Sequence, residues 1–200
     1  MKKFVIGVDE AGRGPLAGPV AVGVVLAPAN FNIKKHFPGV ADSKKLSPQK
    51  REEIYELLRE KARRGNPPAG GPKSPLRYIV VFASAKMIDK VGITKAVRQC
   101  VWKGIRNLSP KTVGVRILLD GLLIAPPEYK QKTIIRGDAS EPIISLASIA
   151  AKVERDRLMC TYAKKFPEYS FEIHKGYGTK KHYEAIKKCG LCELHRKTFL

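Results

Sequence analysis

Residues 3–27 read KFVIGVDEAGRGPLAGPVAVGVVLA, and their pattern decides the fold class. The apolar run 3–8 is strand-like and closes on the acidic pair Asp9-Glu10. After a turn rich in glycine and proline, the β-branched run 20–27 makes a second strand. The chain therefore opens with a hairpin-like pair, and carboxylates stand at the end of its first strand.

Beyond this pair, strands and helices alternate. Ser47-Pro48 is a helix start, a hydroxyl N-cap followed by proline at the first helical position, and Ile54, Leu57 and Leu58 carry the helix to about Arg64. Residues 65–75 are loop-like in their proline and glycine content. A strand is expected over 78–83, then an amphipathic helix over 87–108 interrupted near Gly92. The apolar run 113–119 has the continuous character of a strand covered on both faces and ends at Asp120-Gly121. Residues 133–135 lead into Gly137-Asp138, and a long helix follows over 142–166, with a charged face at Lys152, Glu154, Arg155, Asp156 and Arg157. A shorter helix is expected over 180–188, ended by Gly190. This order indicates an α/β domain with a mixed sheet; its topology stays open at this point.

With 200 residues the chain is sized for one well-buried domain. Its charge is unusual: 38 Lys+Arg against 18 Asp+Glu leave +20. Such a surplus favours a polyanionic partner, foremost nucleic acid, because each lysine or arginine set on a phosphate releases counterions. The last fifty residues hold 12 Lys+Arg and 6 Asp+Glu, so the surplus is spread over the molecule and suits a lined groove better than a basic arm. No apolar run is long enough to span a bilayer, and the first residues do not resemble a signal peptide. A cytoplasmic protein with reduced cysteines is expected.

Asp9, Glu10, Asp120 and Asp138 each follow a strand-like run. Strands lying side by side would bring them to one edge of the sheet, where α/β folds build sites. Turns favour aspartate, so any one of these acids has a mundane reading. Four together in so basic a chain point to carboxylates whose mutual repulsion is relieved by hard cations, Mg²⁺ or Mn²⁺. Two such ions roughly 4 Å apart can clamp the attacking and leaving oxygens of a phosphodiester. The spacing Gly12-x-Gly14-x-x-x-Gly18 misses the dinucleotide fingerprint, and Pro15 prevents the helix that fingerprint requires. Arg13 between two glycines could reach a phosphate or a ribose; the plain alternative is a turn between strands.

The segments GVDEAGRGPLAGPV from Gly7, ADSKKLSPQKRE from Ala41, ILLDG from Ile117, GDASEPIISLASIAAKVERDR from Gly137, HKGYGTKKHYEAI from His174 and HRKTF from His195 run through the whole chain. Together they resemble the type 2 ribonucleases H, the ribonuclease HII family. The resemblance implies a ribonuclease H-like fold: a mixed central sheet flanked by helices, forming a single catalytic domain over residues 1–200 with a small helical portion from about 160. It implies Asp9, Glu10, Asp120 and Asp138 as ligands of two Mg²⁺ or Mn²⁺ ions, and hydrolysis to 5′-phosphate and 3′-hydroxyl ends. It implies as substrates the RNA strand of RNA–DNA hybrid duplexes and single ribonucleotides embedded in duplex DNA. A monomer is expected. It implies that Gly12, Arg13 and Gly14 meet the ribose 2′-hydroxyl and neighbouring phosphates, that Lys44 and Lys45 approach the substrate backbone, and that Tyr177 packs on the sugar beyond the RNA–DNA junction. Leu146 stands where the family more often has alanine, and the loop 65–75 is longer than the family pattern.

Other features carry less. Asp156 in KVERDR is better read as an ion-pair partner than as a ligand. Cys189, Cys192 and His195 lack a partner at zinc-finger spacing, and His174, His182 and His195 are read as structural or surface residues. Two other function classes compete: a non-catalytic nucleic-acid-binding protein on the same fold, which an incomplete carboxylate set would favour, and a nuclease for DNA junctions.

Overall fold

The computed structural model describes residues 3–40, 46–64, 75–109 and 112–200. Lys44, Lys45 and all of the loop 65–75 except Pro75 lie outside the described residues. In chain order the elements are β1 (Phe4–Ala11), β2 (Val20–Pro28), α1 (Ile33–His36), α2 (Pro48–Lys61), β3 (Arg63–Arg64), β4 (Arg77–Ala83), α3 (Ala85–Val91), α4 (Ile93–Leu108), β5 (Val115–Asp120), β6 (Lys130–Ile134), α5 (Gly137–Ser140), α6 (Pro142–Lys165), α7 (Phe171–His174) and α8 (Lys180–Cys189). The strands form one mixed sheet in the order β3-β4-β2-β1-β5-β6. The opening pair is antiparallel, with Val8 opposite Val24, and β4 continues antiparallel on β2. On the other side β5 lies parallel to β1, and β6 parallel to β5.

Period-two alternation divides the side chains of β1 and β2 between two cores. Ile6, Val8, Val22 and Val24 face α4, whose Val97, Val101 and Ile105 repeat at helical spacing. Ala21, Val25 and Ala27 face α6, which supplies Ile143, Ala147, Ala150 and Ala151. With both faces covered, every residue from Val20 to Ala27 is buried, which is why that run is apolar without alternation. Each fully buried valine or isoleucine contributes roughly 1.5–3 kcal/mol. Helix α6 lies close on the sheet because Gly7 and Gly23 have no side chain. A Cβ would stand 2.4 Å from the Ile143 carbonyl oxygen at Gly7 and 2.1 Å from that of Ala147 at Gly23.

Local signals set most helix ends. The Ser47 side chain accepts from the Lys50 amide at the start of α2, and the helical stretch after Ser84 breaks at Gly92, where φ is +78°. Gly190 ends α8 as expected. Three expectations need correction. Helix α2 stops at Lys61, since Arg63–Arg64 join the sheet beside β4. The strand expected from residue 113 begins at Val115, and Val113 is 74% exposed in the turn before it. Arg155, expected on the charged face of the long helix, is fully buried.

The C-terminal portion folds back on the start of the chain. Tyr169 and Phe171 form a small core with Met159 and Ala163 of α6 and with Ala17. An isolated bridge pairs Ala17 with His195.

Candidate active site

Because β1 and β5 are parallel, their C-terminal ends lie together. One residue beyond the last registered pair, Val8 opposite Leu119, come Asp9 and Asp120. Alternation directs both toward the α6 side of the sheet, with Gly7 and Leu118. Asp9 is buried, accepts from the Glu10 amide at 2.7 Å and is hydrogen-bonded by Ser148 of α6. Asp120 Oδ1 accepts from the amides of Gly137 at 2.7 Å and Asp138 at 3.4 Å, which fastens the first turn of α5 to the end of β5. Asp138 is thereby brought beside Asp120 and is buried. It does not end an apolar strand, as expected: β6 is a polar, exposed edge strand, and Asp138 sits in a short helix entered through Arg136 at φ 53°.

Glu10, the next residue along β1, lines a cleft with Ser148 and Lys152 of α6. Its Oε1 lies 3.4 Å from Arg13 Nη1, and Arg13 Nη2 lies 3.4 Å from Thr94 Oγ1 of α4. Burial holds the Asp9 carboxyl well above the usual carboxylate range; the Ser148 hydrogen bond opposes this, and the charges of Glu10 and Asp120 reinforce it. Burial also raises Glu10, against the pull of Arg13, with Asp120 again adding to the rise. A nearby cation reverses such shifts, and an all-oxygen donor set suits Mg²⁺ or Mn²⁺. Among the described residues no three His, Cys, Asp or Glu side chains already stand close enough to hold a metal ion. The donors fit such an ion in chemistry and charge.

A cleft of about 450 Å³ opens here, lined by Glu10, Gly12, Arg13, Gly14, Lys152 and Tyr177 among others. A larger groove of about 710 Å³ lies at the opposite end of β1 and β5, around Phe4, Val113 and Val115, far from the carboxylates.

The turn between β1 and β2 is held from inside by two buried arginines. Arg196 donates through Nη2 to the Gly12 carbonyl at 2.7 Å, through Nη1 to that of Arg13 at 2.9 Å and through Nε to that of Gly18 at 2.9 Å. Arg155 donates to the carbonyls of Pro19 at 2.8 Å and Ala17 at 3.3 Å. Gly12 has φ +85°, and a Cβ there would fall 1.9 Å from Arg155 Nε, so this glycine makes room for an arginine of the protein itself. Gly14 differs: a Cβ there meets nothing within 4 Å. In a trans peptide the amide points opposite to the preceding carbonyl. With the carbonyls of Gly12 and Arg13 turned inward, the amides of Arg13 and Gly14 face outward, and neither meets an acceptor among the described residues.

Tyr177 closes the far side of the cleft, its ring half-exposed and its centroid 5.9 Å from the Arg155 guanidinium. Its amide donates to the His174 carbonyl at 2.9 Å, and its own carbonyl is 2.9 Å from His182 Nδ1. His182 Nε2 in turn meets His195 Nε2 at 3.1 Å. Burial pushes all three histidines of this group below the usual imidazole range, His182 to about 4. At neutral pH they are uncharged scaffolding. Cys192 Sγ is 3.2 Å from His195 Nδ1, while Cys189 is exposed. Asp156 forms an ion pair with Lys152 at 2.9 Å.

Sequence reasoning assigned no role to Ser148, Arg155 or Arg196. A signal existed for the first two: with Lys152 they recur at helical spacing on α6, the face turned to the cleft and the turn 12–19. Arg196 lay in the quoted segment HRKTF, but its role was not legible there because its partners are 178–184 residues away along the chain.

The family model Ribonuclease HII matches residues 6–200. The chain is 43% identical over 196 residues to ribonuclease HII of Endomicrobium trichonymphae, covering 98% of this chain and 84% of that one. It is 41% identical to ribonuclease HII of Caldicellulosiruptor bescii, covering 99% and 87%. Among solved structures it resembles Archaeoglobus fulgidus RNase HII, determined in complex with PCNA (TM-score 0.75, 25% identity, 97% and 94% covered). It also resembles ribonuclease H2 of Pyrococcus horikoshii (TM-score 0.72, 27% identity, 98% and 93% covered). Bst-RNase HIII, determined with Mn²⁺, shares the fold (TM-score 0.73, 15% identity, 98% and 67% covered).

Proposed function

This chain belongs to the ribonuclease HII family, with the ribonuclease H-like fold of its structural neighbours, and from that premise we propose a finer reading of its activity. It is a ribonuclease H, an endonuclease that hydrolyses the RNA strand of RNA–DNA hybrids. The finer reading is that it also cuts at single ribonucleotides embedded in duplex DNA, by a two-metal-ion route that leaves 5′-phosphate and 3′-hydroxyl ends. Asp9, Glu10, Asp120 and Asp138 would hold the ions, Mg²⁺ or Mn²⁺. Bound there, divalent cations would lower the pKa of water and offset the charge that develops on the leaving oxygen.

One observation carries this reading. Glu10, whose neighbours Asp9 and Asp120 end β1 and β5, lines a cleft together with residues 12–14, where the amides of Arg13 and Gly14 turn outward, and with the Tyr177 ring. The 2′-hydroxyl is the group that tells RNA from DNA at a given position, and amide donors beside a phosphodiester can read it. Tyr177 offers a ring face to the next sugar. Arg13, Arg51 and Lys152 bring positive charge to the same cleft, where phosphates must lie. Residues 1–200 are taken as one catalytic domain, because the C-terminal portion from about residue 160 packs onto the turn 12–19 and completes the site.

The test is cleavage of a DNA duplex containing one ribonucleotide, run in parallel with Mg²⁺, Mn²⁺ and EDTA. Incision at the ribonucleotide with either ion and none in EDTA is expected. Cleavage of a continuous hybrid but not of this duplex would refute the single-ribonucleotide reading.

A further inference from the structure

Arg155 and Arg196 are among the largest fully buried side chains of the molecule, and the proposed chemistry uses neither. Burying a guanidinium is costly unless its charge and donors are satisfied. Yet the hydrogen-bond acceptors found for these two among the described residues are all main-chain carbonyls, and Arg155 Nη1 has none. Each depresses the pKa of its own guanidinium by burial, and Arg196 lies near enough to Arg155 to feel its charge. A fold that needed only packing here would be served better by apolar residues. What an arginine adds is a planar fork whose donors have fixed separation, able to grip successive carbonyls where a lysine offers one point of charge.

Arg196 is itself firmly held. Its amide donates to the Leu16 carbonyl at 2.8 Å. The next two residues are tied to α3, where Asp89 accepts from the amides of Lys197 and Thr198, both at 3.0 Å, and from the Thr198 hydroxyl at 2.8 Å. The fork thus has a fixed base, and the carbonyls it grips are those whose inward direction turns the Arg13 and Gly14 amides toward the cleft.

We infer that Arg196 is a positioning residue for ribose recognition: it fixes the outward direction of the Arg13 and Gly14 amides, while Arg155 braces the return of the turn at Ala17 and Pro19. The inference rests on the reading of this turn as the ribose-reading element. Removing the fork frees the two peptides to rotate, so discrimination is lost before general affinity for nucleic acid.

The experiment measures binding in EDTA, so that catalysis does not enter, of a DNA duplex carrying one ribonucleotide and of the same duplex without it. The wild-type protein is expected to prefer the ribonucleotide duplex by roughly tenfold, the worth of about one hydrogen bond. In Arg196→Lys, which keeps the charge and the stem, and in Arg196→Met the preference falls to near one, while affinity for the all-DNA duplex changes by less than about threefold. In Arg196→Ala, added guanidinium restores the preference and sodium at equal ionic strength does not. A merely structural role would weaken both duplexes in proportion to the unfolded fraction, read from melting curves, and leave the ratio intact. A wild-type ratio of one defeats the ribose-reading of the turn. A wild-type preference that survives unchanged in folded Arg196→Lys overturns the role given to Arg196, and if Arg196→Met fails to fold, the lysine variant decides.

Discussion

Gly12→Ala tests the interior of the site in a way that can be worked through from distances. The residue has φ +85°, so any side chain there carries left-handed strain of roughly 1–2 kcal/mol. Its new Cβ would also lie 1.9 Å from Arg155 Nε and 2.7 Å from Cζ, well inside contact distance, so the guanidinium must leave its seat. Leaving breaks the bonds to Pro19 at 2.8 Å and Ala17 at 3.3 Å. The shorter, charge-assisted bond is worth roughly 1.5–3 kcal/mol and the longer one less. The total cost is about 4 kcal/mol, which in a chain of this size lowers the melting temperature by about 8–16 °C. Thermal unfolding of Gly12→Ala, Arg155→Ala and the double variant separates the two parts. Without the Arg155 side chain there is nothing to strike, and Gly12→Ala should cost only the strain, roughly 1–2 kcal/mol. If Gly12→Ala costs the same in both backgrounds, the claim that this glycine exists to seat Arg155 is wrong.

Gly14→Ala adds a methyl group to open space, so stability should hold within about 0.5 kcal/mol while affinity for a ribonucleotide-containing duplex falls about tenfold; unchanged affinity in a binding titration would remove Gly14 from the contact surface. His182, lowered by burial from 6.5 to about 4, lets the unfolded chain bind a proton that the folded one does not between those values. Its contribution is therefore whole above pH 6.5 and is lost as pH falls to about 4, by roughly 3 kcal/mol, and His182→Gln should flatten a stability profile taken over that range. Asp9 has the opposite sign: its folded pKa is raised, so its contribution is present below the unfolded value and is lost as pH rises through the folded one. Asp9→Asn should then abolish cleavage yet melt above the wild type in EDTA at pH 8, and residual turnover or a lowered melting temperature would contradict the account.

Much of the fold was legible from local pattern. The alternating and continuous apolar runs marked β1, β2, β4 and β5, Ser47-Pro48 started α2, and Gly92 and Gly190 broke or ended helices, because each of these signals acts between residues a few positions apart. The acidic pair at the end of β1 was legible for the same reason: a strand end and two carboxylates are adjacent in the chain. Asp138 was found, but its setting was misjudged, since a short helix anchored on the Asp120 carboxylate gives no periodic signal.

Non-local pairing supplied the rest. Only the parallel register of β1 with β5 brings Asp9 beside Asp120 across more than a hundred residues of chain. The same holds for the opening turn. Its Gly-Arg-Gly pattern announced a place where backbone comes close to something. Which glycine faces what depended on Arg155 and Arg196, two charged residues that composition assigns to the surface. They are buried because their forks find carbonyls nowhere near them in sequence, and that match of donors to acceptors exists only once the chain has closed on itself.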